Sequence, residues 1–187
     1  EEDARRHSGA GRMRNLTMRT MTLSECGAPA APASLGALLD GALEPSSGTA
    51  ATVADYVSWM VRGGWPGRLD LEADDAAEAV ASYVDEMSEH DYPLVGGPRR
   101  DPRRFRAFLA AYAGLVAQPA SLAAVRRRMG EITGHRPADS LVSELHDFAA
   151  RLFLVEDQPA WAARLRSRTP LIQTPKRHLA DPSLALA

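Results

Sequence analysis

One cysteine, Cys26, stands in 187 residues. A lone cysteine excludes an intramolecular disulfide, a zinc ribbon and a CxxC redox pair. Lysine is equally scarce: Lys176 is the only one, so the basic residues are otherwise arginine. Aromatics make up 6% of the chain. The one long uncharged run, residues 107–125, approaches the ~20 residues of a membrane helix. Gln118-Pro119 breaks it and alanine dominates it, so it reads as a pair of soluble helices. The chain opens on Glu1-Glu2-Asp3, without methionine or an apolar h-region, so no secretory signal is readable. The numbering is expected to start inside a longer reading frame, in a cytoplasmic protein that makes no membrane contact.

What is present is ordinary for a globular chain: 45% hydrophobic residues, 25% charged, and a net charge of −2. Disorder would need lower hydrophobicity and higher net charge. A near-neutral balance excludes a polybasic protein but leaves local basic patches open.

Along the chain, residues 1–25 carry Arg5, Arg6, Arg12, Arg14 and Arg19 around a Gly9-Ala10-Gly11 turn. Residues 26–33 form a Pro/Ala linker. Ser34 caps a short helix carrying Leu35, Leu38, Leu39 and Leu43. Val53, Tyr56, Val57, Met60 and Val61 fall at helical spacing, which predicts an apolar stripe on a helix over 51–62. Gly63-Gly64 ends it with a left-handed cap. A further helix is expected over 72–90, with an acidic first turn and a break at Pro93.

Asp101-Pro102 is a helix start, and Phe105, Phe108, Leu109, Tyr112, Leu115 and Val116 carry the predicted helix to about Gln118. A second helix opens at Ser121 and closes at Gly130. A third carries Leu141, Val142, Leu145, Phe148 and Leu152. Residues 152–155 read as a strand, 157–159 as a turn, and 164–168 and 171–173 as candidate partner strands. The expected fold is mainly α: a helical segment over 26–100, then a winged helix-turn-helix with a short β-hairpin over 101–181. The order of three helices and a hairpin carries that expectation.

Catalytic motifs are missing. No GxxxxGK[ST] occurs, and Arg14 stands where the third glycine of a dinucleotide loop belongs. There is no GxSxG, SxxK or HExxH. His146-Asp147 resembles the dyad of metal phosphohydrolases, but His7, His90, His135 and His178 are scattered, so a polar helix surface is the simpler reading. Asp85, Glu86, Glu89 and Asp91 read as a solvated helix end. No catalytic residue, metal ligand or cofactor is therefore expected in this chain. Arg99 to Arg106 and Arg126-Arg127-Arg128 remain candidates for phosphate contact. The third helix exposes Asp139, Glu144 and Asp147, which would face DNA's own charge, so any DNA binding is expected to be weak and carried by Arg126, Arg127 and Arg128.

Five strings in order carry a resemblance. They are Arg6 to Arg12 with Met18 to Glu25, Arg62 to Gly67 (RGGWPG), Arg100-Asp101-Pro102, Leu152 to Trp161, and Thr174 to Leu184. Together they resemble bacterial, chiefly actinobacterial, predicted AAA-type ATPases that carry a C-terminal domain of unknown function. The resemblance spans nearly the whole chain. It implies that residues 1–25 are the tail of an ATPase module and 182–187 the start of a C-terminal one. It also implies that Arg6 or Arg12 senses nucleotide, that ATP and magnesium belong only to the full-length protein, and that the partners are the ATPase module or other subunits. Thr20 and Ser24 depart from the family's proline and phenylalanine, and Ala149-Ala150 departs from its compact Leu-Glu-Arg-Leu step. The alternative is a stand-alone winged-helix DNA-binding transcriptional regulator.

Overall fold

The computed structural model describes residues 16–28, 34–42, 50–96, 100–160 and 174–187. Within them lie α1 (Leu35–Leu39), α2 (Val53–Arg62), α3 (Ala73–Glu86) and α4 (Tyr92–Gly96). These are followed by α5 (Pro102–Ala113), α6 (Leu122–Thr133), α7 (Asp139–Arg151), and the antiparallel strands β1 (Val155–Gln158) and β2 (Lys176–Leu179). The structure is thus mainly helical with one two-stranded hairpin. No helix among the described residues is long and apolar enough to cross a membrane.

The core belongs to α5, α6 and α7. Phe105, Phe108, Ala111 and Tyr112 of α5 are fully buried, as are Val125 of α6 and Leu145 of α7. Phe105 stacks on Tyr92 at 5.0 Å between ring centroids, and Phe148 meets both edge-on at 5.1 and 4.9 Å. Offset and edge-to-face rings contribute beyond their buried area. Asp101 caps α5 by accepting from the N–H of Arg103 at 3.0 Å, with Pro102 at the first helical position. Ser121 caps α6 through the N–H of Ala124. Both caps stand where the sequence places them.

Several boundaries differ from the sequence reading, each for a packing reason. α5 stops at Ala113, because residues 116–119 leave the helix to bridge β2: the N–H of Ala117 donates to the Arg177 carbonyl at 2.7 Å. α6 runs through Gly130 and ends at Gly134, which takes the left-handed conformation. Gly130 serves close approach instead, since a Cβ there would lie 3.3 Å from Arg136 Cα. The strand begins at Val155, because Phe153 has φ 57° and ends the turn after α7. Asp157 and Gln158, expected in a turn, therefore lie on β1. Its partner is Lys176–Leu179, with Val155 opposite Leu179 and Asp157 opposite Arg177; the candidate strands at 164–168 and 171–173 lie outside the described residues.

Pro93 does not break the chain after α3. Residues Met87–Asp91 widen into a π turn and α4 continues directly from it, so the wider turn takes up Pro93, which has no N–H to donate. α2 is capped by a Thr52–Asp55 box. Most of its stripe points outward: Val53, Tyr56, Val57 and Met60 are exposed, whereas Val61, Trp59 and Arg62 are partly buried on the helix that packs on α3 and the 3₁₀ turn Pro182–Ala185. Gly64 N–H donates to Asp181 at 2.8 Å, and this lock holds the end of α2 with Arg62 turned inward.

Candidate functional site

Three of the strings that make this sequence distinctive, Met18 to Glu25, Arg62 to Gly67 and Thr174 to Leu184, meet at one corner. Gly63 has φ 70° and ψ −175°, so it is not the expected left-handed cap but an extended conformation open essentially to glycine. It permits a close approach: a Cβ on Gly63 would lie 2.2 Å from Asp181 Oδ1. The next residue, Gly64, donates its N–H to Asp181 Oδ2 at 2.8 Å. Asp181 is 1% exposed, and its Oδ1 accepts from the Ser183 N–H at 3.0 Å and the Ser183 hydroxyl at 2.6 Å. Trp65 Nε1 then donates to Ser183 Oγ at 2.9 Å. Three donors satisfy a carboxylate that would otherwise be costly to bury.

Residues 19–21 cross this corner as a strap. The Met21 N–H donates to the Gly64 carbonyl at 2.7 Å, and a Cβ on Gly64 would lie 2.1 Å from the Met21 carbonyl oxygen. The Thr20 hydroxyl donates to the Ala180 carbonyl at 3.1 Å. Arg19 forms an ion pair with Glu156 on β1. The Arg19 hydrogen bond holds the Glu156 carboxyl below its ordinary value. After the strap, Glu25 caps the Thr22 N–H at 2.8 Å, and that bond lowers the Glu25 carboxyl.

Under the hairpin, Asp157 organises a second cluster. It accepts from the Tyr112 hydroxyl, from Arg177, and stands 3.0 Å from His146 Nε2. Arg177, 5% exposed, also donates Nε to the Ala120 carbonyl at 2.7 Å. Burial pushes the Asp157 carboxyl up, but the Tyr112 and Arg177 hydrogen bonds outweigh it and leave it below the usual carboxylate range. Burial, with Asp157 second, pushes the Tyr112 phenol well up. The HD dyad of the sequence is not a unit: His146 faces Asp157, and its Nδ1 stays 3.9 Å from Asp147. Among the described residues no group of three or more His, Cys, Asp or Glu is arranged to hold a metal ion.

The candidate phosphate contacts separate. Arg126 donates to the Pro137 carbonyl at 2.7 Å and pairs with Asp139 at 3.2 Å. Arg128 stands 3.5 Å from Glu131, alongside Gly114. Arg127 is exposed. Arg100 pairs with Glu144 and lies over the Tyr92 ring, and Arg106 pairs with Asp85. Within the acidic helix end, Glu86 meets His90 at 3.2 Å. Arg6 and Arg12, the nucleotide-sensing candidates, lie outside the described residues. Sequence reasoning missed Asp181, Ser183, Asp157 and Arg177. Their strings stood out, but the pairing of residues 117 apart leaves no periodic signal.

Residues 53–187 match the model of a domain of unknown function, DUF8612. The chain belongs to that family. No curated protein and no solved structure matches it. Every anchor of the strap, at Gly64, Glu156 and Ala180, lies inside the DUF8612 match, whereas the strap itself precedes it.

Proposed function

We propose that this chain is the helical and winged-helix portion of an AAA-type ATPase, itself non-catalytic, coupling nucleotide state to a partner or to DNA. In this reading α5, α6 and α7 are the helix-turn-helix trio, and β1–β2 is the wing. The observation that carries the coupling role is the strap. Residues 19–21 come from the segment that would follow an ATPase module, and they bind both the Gly64 corner and the wing at Glu156 and Ala180. A displacement of that segment would have to break or drag these contacts. Such a two-ended contact is the kind of element through which one site biases another. The outward row of Val53, Tyr56, Val57 and Met60 supports a protein partner, because contiguous exposed apolar surface marks interaction sites.

The regulator reading is less well supported. On α7, Asp139 and Glu144 face outward with Asp147, and the two arginines nearest them are spent on ion pairs with Asp139 and Glu144. A helix that reads bases needs donors free for base edges.

Three observations test the proposal. The reading frame upstream of Glu1 should contain GxxxxGK[ST] within roughly one domain's length, and the chain alone should show no saturable, magnesium-dependent ATP hydrolysis. In the full-length protein, adding ATP should change amide exchange at residues 155–158 and 176–180. An upstream frame without a phosphate loop, or exchange indifferent to nucleotide, would overturn the reading.

A further inference from the structure

A cleft of about 470 Å³ opens where α5, α6 and α7 meet, at the α6–α7 turn. That volume lies in the range of small-molecule sites, which combine an apolar lining with a few placed polar groups. Met129, Pro137 and Leu141 give it an apolar wall, and Met129 and Pro137 are buried. Arg103, Arg104 and His135 also line it, and all three are exposed.

The arginines set the charge. Nearby, Arg100 just before α5, Arg106 on α5 and Arg126 on α6 are matched to Glu144, Asp85 and Asp139 on other elements. Among the described residues Arg103 and Arg104 pair only with Asp101, the cap residue of their own helix, at 4.0 and 3.8 Å. Asp101 is already engaged as the cap of α5, accepting from the Arg103 N–H. One carboxylate beside two guanidiniums leaves the mouth net positive, and the start of α5 adds to it. A wholly apolar molecule would leave the guanidiniums unused, and a hydrophilic anion would leave the wall wet.

We propose that this cleft binds a small amphipathic carboxylate, with its apolar chain or ring against Met129, Pro137 and Leu141 and its head on Arg103 and Arg104. Guanidinium forks take carboxylates in charge-assisted pairs. The site is independent of the ATPase reading, since it uses no strap residue. It touches both sides of the α6–α7 turn, so its occupant bears on how those two helices are set.

The test is an amide-resolved NMR titration of the whole chain with decanoate, below its micellar range, and with decanol as the neutral match. Saturable shifts should appear at Met129, Thr133 and Leu141. Decanol should bind about tenfold more weakly, and an Arg103→Ala, Arg104→Ala variant should lose about tenfold in decanoate affinity. Both arginines are exposed, so that variant should keep the wild-type melting temperature. The proposal is overturned by no saturable shift, by shifts centred on α1 or α2, by equal affinity in the double variant, or by equal binding of decanol. An acidic amphipathic peptide that outcompetes decanoate and shifts residues well beyond the cleft would also overturn it, in favour of a protein groove.

Discussion

Asp181 holds the backbone N–H of Gly64, 117 positions upstream, at 2.8 Å. That bond joins two of the strings that set the sequence apart, RGGW and ADPS, and the strap residue Met21 donates its N–H to the carbonyl of the same glycine.

The lock should fail in a graded way. Gly63→Ala combines a glycine-only backbone conformation with a Cβ 2.2 Å from Asp181 Oδ1, and should cost about 1–3 kcal/mol from the backbone alone. Asp181→Ala strips the acceptor from two buried N–H groups, each loss costing roughly 1–3 kcal/mol. Chemical denaturation of both variants checks this. Unchanged midpoints would show that the corner is peripheral to stability.

Trp65 is partly buried and packs against the core, and Trp161 lies outside the described residues. Trp65→Ala should cost about 3 kcal/mol. Trp65→Phe keeps much of the packing but loses the indole bond to Ser183, and should cost nearer 1 kcal/mol. Thermal unfolding of the two variants separates packing from hydrogen bonding.

Acid should loosen the hairpin. The Asp157 carboxyl lies below its ordinary value of about 3.9 when folded. A depressed carboxylate contributes stability that is present above the unfolded value and is lost as pH falls through the folded one. The loss therefore falls below about pH 4. Asp157→Asn should flatten that part of the stability profile, and Asp157→Ala should be harsher, costing roughly 3–5 kcal/mol by leaving the buried Arg177 charge unpaired. A wild-type acid limb preserved in Asp157→Asn would contradict this.

Any DNA binding should be weak and depend little on the arginine triplet as a unit. Arg126 is held by Pro137 and Asp139, and Arg128 stands by Glu131. Arg127→Ala should lower the log–log salt slope by about 0.9, the value for one phosphate, whereas Arg126→Ala should mainly lower stability. A salt titration of anisotropy with a random duplex distinguishes them. A change of about 2.7 on replacing the triplet, the value for three phosphates, would show that the ion pairs open on DNA.

Local signals read from the sequence were those that chemistry writes locally. The caps at Ser34, Asp101 and Ser121, and the buried stripes of α5 and α7, are legible because capping and helical period act within a few residues. Gly130 was misleading because close packing against Arg136, a tertiary demand, looks in sequence like a helix stop. The second strand was hidden because its buried residue is Arg177, which hydropathy counts as solvent-facing; only Asp157 and the Ala120 carbonyl make it an inside residue. The outward stripe of α2 followed its period but not its partner, which the lock at Gly63-Gly64 decides.

The coupling role of the strap is tested most directly by amide hydrogen exchange on Gly64→Ala. A Cβ there would strike the Met21 carbonyl and lift the strap. Exchange should then quicken at Ala180, whose N–H donates to Leu154 and whose carbonyl the strap holds, and along β1, while Ala111 and Val142 in the helical core keep wild-type protection. Unchanged exchange at Ala180 and β1, or a uniform rise across α5 and α7, would contradict the account.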